Sequence, residues 1–364
     1  MAKFFGKVKE FVNKFDVYDK SKILFIVPLI IVLIMIVCGL CYEFNTTTFD
    51  KFANIGVDFQ GGTLLTVDFK KAGMNSGNQY KENLDLIKEA MAENGLTPAV
   101  VQSSGDSAII VRYLNTVKQA NGELVDYNTD EKISEMNTIN DKLKSDIAEK
   151  VAVKYAGQNI EVESTTNLIG NTSSMRLLRT ALISVAVALA LMLVYIIIRF
   201  DLYSGLAAIV ALVHDILIMM CFTVIFYVEI GSTMVAAIIT IVAYSINNTI
   251  IVFDKIRSNV KPYKKSHEKY FVGDIINKSV RATFARTLFT TFTTLVVVIL
   301  LAALGVASIR TFALPIIFGL VGGFYSSVFL AGPLWGIFKG WGDKVKLARA
   351  NRKFKKARQA KAAA

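Results

Sequence analysis

The sequence is poor in charge, cysteine and histidine, and each shortage excludes a class of protein. Charged residues make up only 19% of the 364 residues, whereas 53% are hydrophobic and the mean hydropathy is +0.47. A composition this apolar excludes an ordinary soluble enzyme of this size. We therefore expect lipid to surround most of the chain.

The three cysteines and two histidines exclude further kinds of chemistry. Cys38, Cys41 and Cys221 all fall in apolar runs, so we expect no disulfide outside the membrane and interpret the C-x-x-C spacing as packing. His214 lies in an apolar run and His267 in a basic segment, which leaves no metal-ligand spacing and no nucleophile with an oriented base. We expect neither enzymatic activity nor a cofactor or metal ion.

The charge that is present is unevenly distributed. Residues 43–176 hold 13 Lys and Arg against 19 Asp and Glu, a net of −6, while the whole chain carries +12. The remaining residues therefore carry +18, concentrated in short stretches beside apolar runs. Such a pattern is typical of the cytoplasmic loops of membrane proteins, and we expect no binding of nucleic acid.

Six apolar runs are long enough to cross about 30 Å of hydrocarbon. The first, residues 23–42, follows a cytoplasmic N-terminus (residues 1–22) that contains six lysines, and we interpret it as an uncleaved signal anchor. The other five lie within residues 177–338, at 178–198, 204–227, 234–253, 282–304 and 311–332.

Alternation of these spans predicts the topology. Residues 254–281 form a predicted basic loop with eight Lys and Arg, whereas the 228–233 and 305–310 links are short and carry one charge each. Because basic loops stay inside, we expect both termini in the cytoplasm, including the basic tail at residues 339–364, and a multi-pass protein of the bacterial cytoplasmic membrane. Residues 43–176 then lie outside, as one domain.

The periodicity of this external domain predicts the order β-α-β-β-α-β, which is that of a ferredoxin-like α+β domain. The predicted elements lie at 63–69, 80–94, 98–101, 108–111, 129–155 and 159–164. Hinges near 44–52 and 167–172 would let the domain move.

Directly before the first strand stands the motif G-x-D-F-x-G-G-T, in which paired glycines indicate a tight turn. A membrane anchor followed by this motif resembles the SecF family of bacterial protein export, a branch of the RND superfamily whose members work with SecD. The motif residues are Gly56, Asp58, Phe59, Gly61, Gly62 and Thr63.

The resemblance continues in order to the sixth span. It includes Y-x-x-x-R-F at 195–200, the His214–Asp215 pair, and the run Y-S-I-N-N-T-I-I-V-F-D-K-I-R-S-N at 244–259, which contains Asp254 and Arg257. Arg286 then opens a pattern similar to the family's R-T-x-x-T-x-x-T-T. The resemblance implies export completed with the ion gradient. It implies SecD, the SecYEG channel, YajC or YidC, a translocating preprotein and membrane lipid as partners.

One departure concerns the proposed ion path, because Asn248 stands where the family usually has an intramembrane aspartate. An amide does not titrate, so Asp215 is the carboxylate deep in a predicted span, with His214 beside it. Three explanations stay open: SecD supplies the missing carboxylate, the coupling ion differs, or the route is vestigial. The ion-coupling candidates are Asp215, His214, Asn247, Asn248, Arg286 and Tyr244.

Spacing predicts how these polar residues meet. Polar side chains in hydrocarbon should face other helices or a water-filled cavity, and simple helix–helix hydrogen bonding is the competing interpretation. Asn248 and Arg286 lie at similar predicted depths, so we expect contact between them, with Thr290 and Thr293 or Thr294 continuing one polar stripe. Glycines spaced G-x-x-x-G in the sixth span could face SecD or pack within the chain.

Two other functions compete. A small RND-type exporter of lipid or hydrophobic compounds would have about twelve spans and two external domains in one chain, twice what this sequence holds. A passive scaffold would need no ionisable residue inside its bundle, and Asp215 and Arg286 count against it.

Overall fold

The computed structural model describes residues 16–45, 52–71, 73–74, 77–98, 100–104, 106–119, 122–129, 131–156, 160–266, 268, 270–305 and 307–344. Six helices in it are long and apolar enough to span a membrane. They are α1 (Ser21–Asn45), α5 (Asn171–Arg199), α6 (Leu202–Ile225), α7 (Ser232–Ser266), α8 (Val272–Leu304) and a last helix from α9 (Ala307–Tyr325) through a π-helical turn (Ser326–Leu330) to Lys344. The prediction of a six-span membrane protein is confirmed.

The last helix lies at the centre of the bundle and packs against α6, α7 and α8. Its glycines permit this close approach: a Cβ on Gly319 would lie 2.5 Å from Ile241, and one on Gly332 would lie 2.9 Å from Ile276. The G-x-x-x-G glycines therefore pack within the chain. The outer helices α1, α5 and α8 keep many large apolar side chains exposed, as lipid contact requires.

Between α1 and α5 lies the α+β domain. It begins with one helical turn, α2 (Val57–Gln60), and contains β1 (Gly62–Asp68), α3 (Gly77–Glu93), β2 (Val100–Ser104), β3 (Ala108–Tyr113), a hairpin of β4 (Thr116–Lys118) and β5 (Leu124–Asp126), α4 (Ile133–Lys154) and β6 (Glu163–Ile169). The main sheet has the order β2-β3-β1-β6 with every pair antiparallel. This is the ferredoxin-like arrangement that the sequence predicts.

The two helices cover the sheet and close one apolar core. Leu65 and Val67 of β1 and Val111 of β3 have no exposed surface, and they pack with Ile87 of α3 and Ile147 of α4. Alternate residues of these strands therefore point to the same side, as a half-covered sheet requires.

The structure corrects the predicted secondary structure at three places. The last strand begins at Glu163 instead of 159, because residues 163–169 have the register that pairs with β1. The hairpin of β4 and β5 was not predicted, since strands of three residues give little alternation. Residues 254–266 and 272–281 are helical, so most of the predicted basic loop is the charged ends of α7 and α8.

The two predicted hinges have different outcomes. Most of the 44–52 segment lies outside the described residues. At 167–172, β6 ends at Ile169 and α5 begins at Asn171, so Gly170 alone joins the domain to the second span. With one residue between the strand and the helix, the 167–172 segment is mostly regular structure and not the longer flexible linker that a hinge there implies.

Candidate functional site

The bundle contains one fully buried carboxylate among its described residues. Asp215 of α6 has no exposed surface. Its Oδ1 lies 2.9 Å from Nδ1 of His214, and its Oδ2 accepts a hydrogen bond from the hydroxyl of Ser245 on α7. Although neighbours in sequence point about 100° apart on a helix, the imidazole turns back to its neighbour. The structure therefore brings His214 and Asp215 together.

The last helix closes this junction. A Cβ on Gly323 would lie 3.1 Å from Cβ of Ser245 and 3.6 Å from Oδ2 of Asp215, so the glycine lets the three helices meet closely. The ring of Tyr325 stacks on His214 with centroids 6.1 Å apart, directly before the π-helical turn. Such turns often occur at functional sites of helices. Asp215, Ser245 and His214 are hereafter the carboxylate junction.

A second polar contact joins α7 to α8. Asn248 is 1% exposed, and its Nδ2 donates to Oγ1 of Thr291 at 3.5 Å. Thr287, one turn before Thr291, is also buried. The hydroxyl of Tyr244 is buried with no hydrogen-bond partner among the described residues.

The predicted polar stripe on α8 was wrong by one helical position. The buried threonines are Thr283, Thr287 and Thr291. Thr290 and Thr293 are exposed and Thr294 is half-buried, and all three bond to backbone carbonyls of their own helix. Two threonine stripes run along this helix about 100° apart, and the sequence cannot choose between them.

Arg286 and Asn247 lie on the outside of the bundle. Both side chains are exposed, and no hydrogen bond joins Arg286 to Asn248 in the part of the chain that the structure describes. Arg286 instead lines a cleft between α5, α7 and α8 at the end of the bundle away from the α+β domain. The expectation that Asn248 and Arg286 meet is not met within this chain, because they occupy different faces.

The G-x-D-F motif holds the α+β domain against the bundle. Oδ2 of Asp58 accepts hydrogen bonds from the backbone N–H of Ser232 at 2.8 Å and from its hydroxyl at 2.6 Å. Ser232 is the first residue of α7, where an acidic group satisfies an otherwise unpaired N–H and complements the helix dipole. Asp58 thus acts as a cap for a transmembrane helix.

Backbone hydrogen bonds strengthen the same contact. Ile55 and Ile230 form an isolated parallel bridge, in which Gly56 N–H donates to the Ile230 carbonyl at 3.0 Å and Ile230 N–H donates to the Asn54 carbonyl at 2.7 Å. The amide of Asn54 also reaches the carbonyl of Tyr227 at 3.1 Å. Hydrogen bonds therefore join residues 54–58 to the link between α6 and α7.

An ion pair between Arg112 of β3 and Glu229 of that link lies under the contact. Their side chains are only 15% and 8% exposed, and burial lowers the pKa of Arg112 while the nearby Asp58 carboxylate opposes that shift. A Cβ on Gly56 would lie 2.6 Å from Oε1 of Glu229, which explains the first glycine of the motif. We call the contacts of Asp58, Arg112, Glu229 and Ser232 the domain joint.

Sequence reasoning missed Arg112 and Glu229. The available signal was the single acidic residue in a six-residue external link, and an arginine among the apolar residues of a strand. The two residues lie 117 positions apart in the sequence, and only the fold places them together.

The other motif residues serve the domain itself. Gly61 and Gly62 have φ values of 80° and 153°, and the backbone there passes close to Asn128 and the Tyr113 carbonyl. Thr63 is fully buried and donates to Oδ1 of Asn115 at 2.7 Å. Phe59 is half-buried.

At the opposite end of the bundle lie the last two motif residues. Asp254 is exposed at the edge of the cleft, and Nη1 of Arg257 donates to the Arg199 carbonyl at 2.9 Å.

The chain is similar to known membrane proteins of bacterial protein export. A family model described as the C-terminal region of the protein export membrane proteins SecD/SecF matches residues 128–341. The chain is 32% identical over 289 residues to the protein translocase subunit SecF of Sebaldella termitidis, covering 79% of this chain and 82% of that protein. It is also 32% identical over 287 residues to SecF of Vibrio alginolyticus, covering 78% and 80%.

Solved structures agree with these relatives. The crystal structure of SecDF from Thermus thermophilus, a translocon-associated membrane protein, matches with a TM-score of 0.61 and 26% identity over 90% of this chain. A super-membrane-facing form of SecDF matches with a TM-score of 0.54. The chain spans about two fifths of that SecDF chain, at 39% of its length. The chain belongs to the SecD/SecF family of protein export membrane proteins, within its SecF branch.

Proposed function

We propose that this chain is a SecF-like subunit of the Sec preprotein translocase, acting with SecD to complete export across the bacterial cytoplasmic membrane by using the ion gradient. Both termini would lie in the cytoplasm and the α+β domain outside. SecYEG, YajC or YidC, and the translocating preprotein are the further partners that this proposal implies.

One observation carries the mechanism: a single helix, α7, bears both polar contacts. Its first residue, Ser232, belongs to the domain joint, and Ser245 belongs to the carboxylate junction. Thirteen residues of α-helix separate these two serines by about 20 Å. Because a helix is stiff along its axis, a small shift at the junction moves the external domain at the joint.

Protonation and deprotonation of Asp215 would give the external domain two positions. An ionised Asp215 accepts hydrogen bonds from Ser245 and His214, whereas a protonated carboxyl must itself donate one. The Ser245 hydroxyl or the imidazole then has to reorient, which changes how α6 holds α7. An ion gradient that shifts the protonation of Asp215 would thus bias the position of the domain.

Asn248 does not exchange a proton, so we propose that SecD supplies the carboxylate that this position lacks. Asn247 and Arg286 are exposed, and Arg286 has no anionic partner among the described residues. A carboxylate on an adjoining six-helix unit would neutralise Arg286. Within this chain, Asp215 remains the proposed coupling carboxylate, because it is the fully buried one among the described residues of the bundle.

The test measures gradient-dependent export of a secreted protein by cells that produce the variant together with SecD. We expect Asp215→Asn to abolish the gradient-dependent part of export, and Arg286→Ala to reduce it severely. Asp274→Asn, an exposed carboxylate at the start of α8, is the matched control and should behave like the wild type. Full gradient-dependent export by Asp215→Asn would refute the junction as the coupling site.

Asn248→Asp separates two of the three explanations for the missing aspartate, the SecD carboxylate and the vestigial route. If SecD supplies the carboxylate, a second one beside Thr291 should impair export, because two buried carboxylates repel each other. Increased export would instead indicate that Asn248 blocks a vestigial route.

Photocrosslinking tests the role in export itself. Crosslinkers on the exposed face of the α+β domain should capture secreting chains during active export, and no capture would contradict this role.

A further inference from the structure

At the end of the bundle away from the α+β domain, a cleft of about 420 Å³ opens between α5, α7 and α8. Its walls are of two kinds. One part is apolar and aromatic, and the other holds three cationic side chains and one carboxylate. The apolar part is Tyr195, Phe200, Ile250 and Ile251, and the charged part is Arg199, Lys255, Arg286 and Asp254.

The three cations have no anionic partner in the described part of the chain. No carboxylate there lies within ion-pair distance of Arg199, Lys255 or Arg286, although Asp254 lines the same cleft. Arg199 lies over the ring of Phe200 with 5.2 Å between guanidinium carbon and ring centroid. Its backbone carbonyl is held by Arg257 at 2.9 Å. Contacts to Phe200 and Arg257 therefore position Arg199, and no carboxylate neutralises the three cations in the described part of the chain.

The position of the cluster along the helices decides what it can bind. Arg199 is the last residue of α5, and Lys255 and Arg286 stand where the apolar parts of α7 and α8 meet their charged ends. All three thus lie at the depth of the lipid headgroups, while Tyr195, Ile250 and Ile251 lie nearer the membrane interior. Cations at headgroup depth above an apolar wall match a molecule that has an acidic head and a hydrocarbon tail.

We propose that this cleft is a binding site for an anionic phospholipid, whose phosphate lies between Arg199 and Lys255 and whose acyl chain lies along Ile250 and Ile251, with Arg286 left for the SecD carboxylate of the proposed function. A guanidinium group binds phosphate oxygens through paired N–H donors, and the lysine adds a second charge. The site lies between α7, which carries Ser245 and Asn248, and α8, which carries Thr291. Bound lipid therefore braces the helix pair at the end opposite the domain joint.

Native mass spectrometry of the full chain provides the test. The protein is purified in mild detergent and mixed with phosphatidylglycerol, cardiolipin or phosphatidylcholine at equal concentration. We expect retention of the two anionic lipids and much weaker retention of phosphatidylcholine. Arg199→Gln combined with Lys255→Gln removes two cations from the headgroup site, so it should weaken retention about 10- to 30-fold.

Two variants control for loss of charge and loss of fold. Lys278→Gln removes one exposed cation on α8 outside the cleft and should retain lipid like the wild type. Arg199→Lys keeps the charge and should retain more lipid than Arg199→Gln. Thermal unfolding followed by Trp335 and Trp341 checks that each variant is folded.

Three results would overturn the proposal. The first is equal retention of phosphatidylcholine, and the second is unchanged retention by the double variant. The third is displacement by glycerol phosphate at the concentration at which the diacyl lipid binds, since this would show that a soluble phosphate is the ligand. With SecD present, photocrosslinks from position 255 to lipid support the proposal, whereas crosslinks to SecD with no lipid retained would assign the cleft to a protein partner.

Discussion

The α+β domain and the membrane bundle differ in how their buried polar groups are hydrogen-bonded. In the domain they form a closed network: the Tyr113 hydroxyl donates to Oδ1 of Asn140 at 2.7 Å, and the Asn115 amide donates to Asn128 at 3.0 Å. Thr63 lies between Asn115 and Asn140, at 2.7 and 3.5 Å. Each of these groups therefore has a partner on another element.

In the bundle, several buried polar atoms have no hydrogen-bond partner among the described residues. They are Nε2 of His214, Nε of Arg281 and the hydroxyls of Tyr244, Thr249 and Thr287. In the α+β domain, the hydroxyl of Ser164 is a further such atom, and it lies outside the network. A satisfied network holds one arrangement, because every alternative would leave a donor or acceptor unpaired. Unpaired groups leave the bundle free to rearrange its hydrogen bonds. The difference predicts that the bundle rearranges its hydrogen bonds more readily than the external domain does.

The largest effect is expected where the two regions meet, at the domain joint. Glu229→Ala leaves Arg112 buried without its partner, which should destabilise the joint by about 3–5 kcal/mol. Hydrogen exchange of residues 54–61 and 227–232 should accelerate strongly, while exchange in the domain core stays slow. Replacing both residues by leucine should restore most of the protection, and equal exchange in the single and double variants would contradict this account.

A second prediction concerns packing in the bundle. Gly323→Ala places a methyl group 3.1 Å from Cβ of Ser245, so the carboxylate junction must widen, at a cost of about 1–3 kcal/mol. Both tryptophans lie in the last helix, and their fluorescence during thermal unfolding therefore reports on the bundle. The control is Gly340→Ala, where nothing lies within 4 Å and the melting temperature should stay the same or rise.

The domain network gives a third prediction. Asn140→Ala removes the acceptor for the Tyr113 hydroxyl and the donor to Thr63, and should destabilise the domain by about 1–3 kcal/mol. Amide exchange in β1, β3 and α4 measures the change. Because both tryptophans lie outside the domain, the fluorescence transition should not move, and a common shift of both signals would show that domain and bundle unfold as one unit.

Alkaline pH tests the same network. Burial raises the pKa of Tyr113, so above pH about 10 its phenol ionises in the unfolded chain before it ionises in the folded one. The stability that this group contributes is complete below that pH and decreases by about 1.4 kcal/mol for each further pH unit. Pulse proteolysis with subtilisin between pH 9 and 11 measures it. Tyr113→Phe should show a smaller decrease over this range.

The smallest effect is expected for an unpaired hydroxyl in the bundle. Thr287→Val keeps the side-chain shape and removes a donor that has no partner, so stability should change by less than about 0.5 kcal/mol. Thr291→Val instead removes the acceptor of Asn248 and should cost more. If Thr287→Val were the more damaging change, the Thr287 hydroxyl would have a hydrogen-bond partner after all. The contrast in hydrogen bonding between bundle and domain would then fail.

Much of the architecture could be predicted from the sequence because it depends on local composition. Long apolar runs predicted the six spans, and alternation with helical periodicity predicted the order of strands and helices. The shifted start of β6 and the missed β4–β5 hairpin show the limit of this reasoning. Strand ends and short strands depend on pairing partners, which the local pattern does not contain.

The candidate site was predictable only in part. Asp215 and His214 could be singled out because ionisable groups are rare in apolar runs, and the domain joint was visible only as a motif without a partner. The threonine stripe on α8 was assigned one position away, since a helix with polar residues at 286, 287, 290 and 291 can turn either stripe inward.

The sequence by itself determined which segments enter the membrane, that one α+β domain stands between the first two spans, and that Asn248 does not titrate, because hydropathy, periodicity and chemical identity belong to each residue. Only the tertiary structure decided that Ser245 meets Asp215, that Asp58 caps α7, and that Arg112 pairs with Glu229. These contacts join residues 30 to 174 positions apart, and their geometry depends on how whole helices and strands pack.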